Sequence, residues 1–357
     1  MMNRRALVLA GLGLPLGGGA RAELDAPTER LRAWLRTARA QPALGAQWNG
    51  GSKSVGWRDQ AAISGRLPLV FGIEYYDDGP PERRRDAQVQ ASGYIQEHAA
   101  AGGVVTINDH MPNLLTGGNS WDRSADALQA VLPGGMAHGN FVAYLDRLAD
   151  FIGGLQVNGQ AVPVLLRPFH EMNGAWFWWG DANDGRRIGE LWRFTHGHLV
   201  QTRKLRNLLW VWSPNIDRRA SVDRFMGYWP GRAYVDVVGV DGYENAPQAA
   251  LREDMMVRSV QALRLLARNQ DLPFAVTEVG FQGAAQRQAD FWDTVFQPAL
   301  SGLFAGAAYV LVWNAEHGPS AGTPAAAGFA RLVQSGRLLL RGDVPGEALY
   351  GAWPGRR

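Results

Sequence analysis

The chain has 357 residues, of which 46% are hydrophobic and 19% are charged, with 14 tryptophans and no cysteine. This apolar content excludes a disordered chain, and the lack of cysteine excludes disulfides, iron–sulfur clusters, thiolate zinc sites and a cysteine nucleophile. The formal net charge is +3, from 36 Lys and Arg against 33 Asp and Glu. A core does not require so many indole rings, so the sequence predicts tryptophans that stack on a flat ligand.

Residues 1–22 have the pattern of a bacterial export signal. Arg4 and Arg5 precede an apolar run, and a small-x-small cleavage pattern ends at Ala22. A membrane anchor is the alternative, but a spanning helix needs about 20 apolar residues and this run is shorter and rich in glycine. Without this segment, residues 23–357 contain 33 basic and 33 acidic residues. We therefore expect an exported, formally neutral protein, periplasmic or extracellular, without stable membrane insertion.

After the export signal, eight short apolar runs alternate with helical patterns. The runs are Leu44–Asn49, Leu67–Tyr76, Val104–His110, Val162–Glu171, Leu208–Asn215, Val235–Tyr243, Phe274–Phe281 and Ala307–Asn314. The helical patterns include Thr28–Arg39, Arg83–Ala100, Phe141–Leu155, Arg186–Lys204, Ala249–Asn269 and Arg287–Leu300. Most runs are apolar on both faces, as strands of a buried parallel sheet are. Eight such repeats predict a single (β/α)8 barrel over residues 23–357 with the first helix packed outside it, and a doubly wound open sheet is the alternative.

Two glutamates end apolar strands on what would be opposite sides of the barrel mouth. Glu171 ends the fourth predicted strand and Glu278 lies near the end of the seventh. Barrels place their active sites at this end, and a buried carboxylate is costly unless it is paired or needed. Facing carboxylates predict hydrolysis of a glycosidic bond, with retention of configuration at a separation of about 5–5.5 Å and inversion at about 6.5–9.5 Å. The alternative is that each glutamate is the buried partner of an arginine such as Arg167.

Aromatic residues follow Glu171 directly, at positions 176–179. Indole rings offer apolar faces that suit the C–H faces of sugars, so Trp176 and Trp313 are predicted sugar platforms. About half of the strand-end tryptophans are expected in the core.

Metal and nucleic-acid sites are not expected. The pair His196 and His198 lies within a predicted helix, where side chains two residues apart diverge, and the chain has no basic stripe.

The segment 167–176, Arg-Pro-Phe-His-Glu-Met-Asn-Gly-Ala-Trp, resembles glycoside hydrolase family 26, whose best-known members are secreted endo-β-1,4-mannanases. The resemblance extends over about residues 44–314 and implies a retaining enzyme on a (β/α)8 barrel. By this resemblance Glu171 would be the general acid/base and Glu278 the nucleophile. Tyr243 would hydrogen-bond the nucleophile. The resemblance also implies substrate-binding residues, namely His110, Arg167, His170, Trp176, Tyr243 and Trp313.

The chain departs from the family pattern before His110. Relatives usually have Trp at the position of Asp109, and Pro112-Asn113 reverses the usual order. A carboxylate in place of an indole at the rim is expected to alter a distal sugar site. Three functions therefore stay open: an endo-β-1,4-mannanase, the same chemistry on mixed-linkage glucan, β-1,3-xylan or a bacterial exopolysaccharide, and a non-catalytic glycan-binding barrel. We expect a monomer that needs no cofactor and binds a β-linked polysaccharide or oligosaccharide.

Overall fold

The computed structural model describes residues 23–37, 41–48, 56–75, 81–181, 184–244, 254–281, 289–313, 317–319 and 321–351. The predicted export signal, residues 1–22, lies outside these ranges, as do Asn49, Tyr76 and Asn314, the predicted ends of three strands. Among the helices within these ranges, none is both long and apolar enough to cross a membrane.

Eight parallel strands close into a barrel. They are β1 (Ala43–Trp48), β2 (Val70–Glu74), β3 (Val104–Asn108), β4 (Val164–Arg167), β5 (Leu208–Trp212), β6 (Val237–Glu244), β7 (Phe274–Phe281) and β8 (Tyr309–Val312). Each strand pairs with the next one along the chain, and β8 returns to β1 at the pair Ala43 and Tyr309. The predicted (β/α)8 barrel is therefore confirmed, and the closing pair excludes the open sheet.

Helices surround the barrel and close its lower end. They are α1 (Ala26–Arg36), α2 (Gly56–Ser64), α3 (Pro81–Ala100), α4 (Ala127–Val131), α5 (His138–Gly153), α6 (Arg186–Gly197), α7 (Val222–Met226), α8 (Asp254–Asn269), α9 (Gln297–Ser301), α10 (Ala325–Gln334) and α11 (Gly346–Tyr350). A 3₁₀ turn spans Arg232–Tyr234, and π-helical turns span His198–Thr202 and Trp292–Phe296. The predicted helix Arg186–Lys204 therefore changes type after Gly197.

A small hairpin between α5 and β4 was not predicted. Gln156–Val157 pairs antiparallel with Gln160–Ala161. The two turn residues both have positive φ, 51° at Asn158 and 78° at Gly159. Asn-Gly is the preferred sequence of such two-residue turns, so the signal was present in the sequence.

Most of the described tryptophans lie in the core. Trp48, Trp179, Trp192, Trp212 and Trp292 are among the largest fully buried side chains. Exposed indole rings within the described ranges belong to Trp121 and Trp176. The premise that a core does not need so many indole rings is therefore wrong for this chain, since a wide barrel wrapped in helices buries large rings between its layers.

Candidate active site

The turn after β4 presents Glu171 in a strained backbone. Phe169 has φ 50° and Glu171 has φ 56°, both in the left-handed region that non-glycine residues rarely adopt. The backbone N–H of Glu171 donates to the carbonyl of Ser213 at 2.8 Å, which ties this turn to the end of β5. Such strain accumulates at functional sites because the surrounding structure must hold it in place.

Both carboxylate oxygens of Glu171 are held by neighbouring side chains. Trp176 Nε1 donates to Oε2 at 2.7 Å, and Asn215 Nδ2 donates to Oε1 at 2.8 Å. Burial raises the pKa of Glu171 well above its usual range, and the negative charges of Glu278 and Asp241 add to this effect. The structure therefore favours a protonated Glu171.

Glu278, on β7, lies between two donors. The guanidinium of Arg167 donates to Oε1 and the hydroxyl of Tyr243 donates to Oε2. Burial and the charge of Glu278 raise the pKa of Tyr243 well above its usual value, so its hydroxyl keeps its proton and donates. The alternative of an arginine partner therefore holds for Glu278, which pairs with Arg167, while the side-chain donors to Glu171 are an indole and an amide.

A third carboxylate, Asp241, was missed by the sequence analysis. It is completely buried on β6 and accepts hydrogen bonds from Arg167 Nη1 at 2.8 Å, Ser213 Oγ at 3.1 Å and Thr277 Oγ1 at 2.6 Å. The signal that could have revealed it is an acid within an apolar strand, two residues before Tyr243 and hence on the same face of that strand.

Oxygens of Glu171, Asp241 and Glu278 all lie within 4.8 Å of one another. This is the one group in the described ranges whose donor atoms could surround a metal ion. Arg167 donates to Asp241 and Glu278, so a fixed guanidinium offsets part of the negative charge there. Arg167 is 2% exposed, which strengthens these pairs because little water screens them.

Two histidines lie beside the carboxylates with opposite protonation behaviour. Glu74, at the end of β2, accepts from the backbone N–H of His110 and pairs with its Nδ1 at 3.0 Å. Burial alone would lower the pKa of His110, but the Glu74 carboxylate outweighs it and raises that pKa. Burial, Arg167 and His110 together lower the pKa of His170 well below its usual value, so His170 is neutral. Glu74 was also missed, although it lies near the end of a predicted strand.

The two predicted sugar platforms differ in exposure. Trp176 is 39% exposed, whereas Trp313 is only 7% exposed and has the guanidinium carbon of Arg167 5.9 Å from its ring centre. Trp121 is 56% exposed, and its ring is stacked on His110 with 5.2 Å between the ring centres. Trp121 is not among the predicted substrate-binding residues.

Asp109 does not lie in the cleft. It is 2% exposed, and its Oδ1 accepts a hydrogen bond from the hydroxyl of Tyr144 on α5 at 2.7 Å. The expectation that this carboxylate alters a sugar site is therefore wrong, because Asp109 is buried against Tyr144 instead of facing the cleft. The pair His196 and His198 is packed as expected, the first against Trp210 and the second against Asp146 at 2.8 Å.

Residues 22–286 match the sequence profile of glycosyl hydrolase family 26. The chain belongs to glycosyl hydrolase family 26. The family 26 chain is 30% identical over 268 residues to a mannan endo-1,4-beta-mannosidase of Bacillus subtilis strain 168, covering 71% of this chain and 68% of that relative. It is 32% identical over 288 residues to mannan endo-1,4-beta-mannosidase A and B of Caldalkalibacillus mannanilyticus, covering 74% of this chain. That alignment spans 51% of the relative, about half its length.

Solved structures of family 26 agree with the barrel. A GH26 β-mannanase from Bacteroides ovatus superposes with a TM-score of 0.81 at 26% identity, covering 93% of this chain and 99% of that one. A modular endo-β-1,4-mannanase from Cellulomonas fimi gives a TM-score of 0.82 at 28% identity, covering 92% and 78%. The predicted family is therefore confirmed, and this chain is a glycoside hydrolase.

Proposed function

We propose that the protein is a retaining endo-β-1,4-mannanase, with Glu171 as general acid/base and Glu278 as nucleophile. The observation that carries the proposal is the approach of these carboxylates, whose nearest oxygens lie within 4.8 Å. So close an approach favours the shorter carboxylate separation of retaining glycosidases, about 5–5.5 Å, over the separation of about 6.5–9.5 Å in inverting enzymes. The names of the B. subtilis and C. mannanilyticus relatives support mannan as the substrate.

In the first step Glu278 attacks the anomeric carbon while Glu171 protonates the departing oxygen. Arg167 and Tyr243 orient Glu278 by donating to its two oxygens, one each. Glu171 holds its proton because burial and the neighbouring negative charges raise its pKa. When Glu278 becomes an ester its charge disappears, the pKa of Glu171 falls, and Glu171 can then accept a proton from water. The charge of Glu278 thus favours the acid role of Glu171 in the first step, and the loss of that charge favours the base role of Glu171 in the second.

The remaining residues of the proposed site bind the sugar. Trp176 offers a partly exposed indole ring beside Glu171, and Trp313 forms a wall on the side of Arg167. His110 and His170 pack edge to face, with 4.6 Å between their ring centres. Burial lowers the pKa of His170 and the Glu74 carboxylate raises that of His110, so the two imidazoles differ in how readily they hold a second ring proton.

The experiment that tests this proposal is hydrolysis of mannan by a Glu278→Ala variant, with the exposed Glu347→Ala as matched control. We expect Glu278→Ala to lower kcat by about 10⁴-fold or more, since removal of a covalent nucleophile typically has this scale of effect. Glu347→Ala should behave as the unsubstituted enzyme. Near wild-type release of reducing ends by Glu278→Ala would refute the assignment, and proton NMR that shows an inverted first product would refute retention.

The substrate is tested on a panel of mannan, glucomannan, lichenan and β-1,3-xylan. The carboxylate at Asp109 motivated the other β-glycans, and its burial against Tyr144 removes that argument. We therefore propose mannan as the preferred backbone. Higher kcat/KM on lichenan or β-1,3-xylan than on mannan would assign a different one. A protein that binds these glycans but cleaves none would be the non-catalytic barrel.

We further propose that residues 1–22 direct export and that the mature protein acts as a monomer. The support for export is the sequence of this segment, with paired arginines, an apolar run and a small-x-small pattern. Mass spectrometry of protein recovered from a bacterial periplasm or medium should find a new N-terminus near Glu23. Light scattering of the same material should give a mass near that of one chain.

A further inference from the structure

Asn173 lies two residues after Glu171, in the turn that follows β4, and it is not among the proposed catalytic or sugar-binding residues. It is 5% exposed, and a buried amide requires hydrogen-bond partners within the protein. Asn173 Nδ2 donates to the backbone carbonyl of Asn215 at 2.8 Å, and Asn173 Oδ1 accepts from the backbone N–H of Asn215 at 2.8 Å. One side chain therefore satisfies both backbone groups of Asn215.

This amide pair extends the contact between β4 and β5 beyond the end of their ladder. The ladder ends before the turn that carries Glu171, where the backbone N–H of Glu171 still donates to the carbonyl of Ser213 at 2.8 Å. A primary amide offers an acceptor and a donor on one flat group, so it can replace the peptide group of a neighbouring strand. Asn173 thus gives Asn215 the two hydrogen bonds that a strand neighbour would give.

The segment around Asn215 is also bonded to β6 on its other side. The backbone N–H of Asp241 donates to the carbonyl of Pro214 at 3.0 Å, and the N–H of Ile216 donates to the carbonyl of Asp241 at 2.9 Å. Asn215 lies between these two bonds, and its own backbone groups are those that Asn173 engages. The side chain of Asn215 therefore starts from a backbone that is held on both sides.

The side chain of Asn215 reaches the proposed acid/base. Its Nδ2 donates to Glu171 Oε1 at 2.8 Å, while Trp176 Nε1 donates to Oε2 at 2.7 Å. Two donors, one on each oxygen, fix the plane of the carboxyl group. A general acid must bring its proton within hydrogen-bond reach of the departing oxygen, so a rotated carboxyl group transfers its proton more slowly. The position of Asn215 therefore bears on the rate of proton transfer.

We propose that Asn173 is a positioning residue for the acid/base. It fixes the backbone of Asn215, and the amide of Asn215 then holds the Glu171 carboxyl group in the orientation that proton transfer requires. This inference rests on the proposed function, because it takes Glu171 as the acid/base. It adds a residue that acts on Glu171 through another side chain.

The test compares two substrates that differ in their need for a proton. The departing oxygen of mannohexaose must be protonated, whereas the dinitrophenolate of 2,4-dinitrophenyl β-mannobioside leaves without a proton. The measured quantity is the ratio of kcat/KM on the dinitrophenyl substrate to kcat/KM on mannohexaose. This parameter covers the steps up to the glycosyl-enzyme, so the later action of Glu171 as a base does not enter the ratio.

We expect Asn173→Ala to raise this ratio by about tenfold or more, because a positioned acid typically contributes about 10²–10⁴-fold and its misplacement forfeits part of that factor. Asn215→Ala should raise the ratio by a similar factor. In the Asn215→Ala background, Asn173→Ala should change the ratio little, since two residues that act through one contact are not additive.

The matched control is Asn207→Ala. Asn207 is 2% exposed, and its Nδ2 donates to the carbonyl of Val162 at 2.8 Å, which ties the segment before β5 to the segment before β4 at the other end of these strands. This variant loses the same kind of buried bond and should leave the ratio unchanged. Urea denaturation establishes that each variant is folded under the assay conditions. Asn173→Asp keeps the shape of the side chain but turns the donor to Asn215 into an oxygen, so it should also raise the ratio and replaces an alanine variant that does not fold.

An equal fall of kcat/KM on both substrates in the Asn173 variants would mean that Asn173 supports only the fold, and would overturn the inference. Factors for Asn173→Ala and Asn215→Ala that multiply in the double variant would overturn it as well. Glu171→Ala, measured on the same substrates, tests the proposed function separately and should raise the ratio most. If Glu171→Ala lowers kcat/KM equally on both, the acid/base assignment fails and the inference with it. If Glu171→Ala raises the ratio and the Asn173 variants do not, only the inference fails.

Discussion

Glu171 has to hold a proton at the working pH, and its immediate neighbours push its pKa in opposite directions. Burial raises that pKa, as do the charges of Glu278 and Asp241, while the N–H of Trp176 lowers it by donating to the ionised form. The indole ring next to the acid therefore does more than offer a surface to the sugar. It also limits how far the pKa of Glu171 rises.

This opposition predicts the pH dependence of a Trp176→Phe variant. The substitution keeps an aromatic ring but removes the donor to Glu171 Oε2, so the ionised carboxylate loses stabilisation and the pKa of Glu171 rises further. A general acid with a higher pKa stays protonated to higher pH. We therefore expect the alkaline limb of the kcat/KM profile on mannan to move to higher pH.

The matched control is Trp121→Phe, which alters the other exposed indole ring without touching a hydrogen bond of Glu171. Both variants are expected to raise KM, because both rings are exposed near the cleft. Movement of the alkaline limb should be confined to Trp176→Phe. An alkaline limb that stays in place, or that moves to lower pH, would contradict the assigned role of this hydrogen bond.

At the scale of single residues, the sequence predicted which catalytic side chains come together, but not all of the hydrogen bonds and ion pairs that position them. Glu171 and Glu278 were predictable because each is an acid at or near the C-terminal end of a predicted apolar strand. Asp241 satisfies the same rule, since it lies in the Val-Asp-Gly-Tyr stretch at the end of a predicted apolar strand. The partners of Glu74 could not be predicted, since its contact with His110 depends on how β2 and β3 are aligned.

At the scale of elements, a buried hydrogen bond links the end of β3 to α5. Tyr144 is fully buried, and its hydroxyl donates to Asp109 Oδ1 at 2.7 Å. The loop that begins there contains His110 and leads on to Asn113, which is completely buried and accepts the backbone N–H groups of Leu115 and Thr116. This contact therefore fixes the start of the loop that contains His110.

A Tyr144→Phe variant is predicted to destabilise the protein. The ring stays, but a buried carboxylate oxygen loses its donor, which typically costs about 1–3 kcal/mol. Urea denaturation should show this loss in the free energy of unfolding. Tyr94→Phe is the matched control, because the hydroxyl of Tyr94 makes only a long, exposed contact with Gln90 at 3.4 Å. Equal stability of both variants would mean that the contact with Asp109 contributes nothing.

The elements themselves were largely predictable, and the exceptions have local causes. All eight strands occur where the sequence has apolar runs, because a strand that is buried on both faces needs apolar residues along most of its length. The π-helical turn His198–Thr202 could not be predicted, because one shifted hydrogen-bond register leaves the apolar pattern almost unchanged. The hairpin at Asn158 and Gly159 could have been predicted from its turn residues alone.

At the scale of the whole molecule, the residues of the proposed active site and the helix that closes the barrel lie at opposite ends. The proposed catalytic groups lie at the C-terminal ends of the strands, and α1 lies at the other end. Leu31 and Leu35 of α1 are buried in the cluster that holds Val70, Leu165 and other barrel residues. Asp25 caps α1 through its side chain and joins it to the barrel through a backbone bond to Arg206 at 3.0 Å. The helix predicted outside the barrel therefore serves as its floor.

This separation predicts that stability and catalysis can be changed independently. Leu31→Ala removes a fully buried side chain and should lower the free energy of unfolding by about 2–5 kcal/mol. Leu265→Ala, on α8, is the matched control, because that side chain is 44% exposed and should cost much less. At 25 °C, where the folded form still predominates, kcat/KM on mannan should stay within twofold for both variants, since α1 lies at the end of the barrel opposite to Glu171 and Glu278. A large fall in kcat/KM for Leu31→Ala, measured on protein shown to be folded by circular dichroism, would mean that the floor of the barrel also positions Glu171 or Glu278.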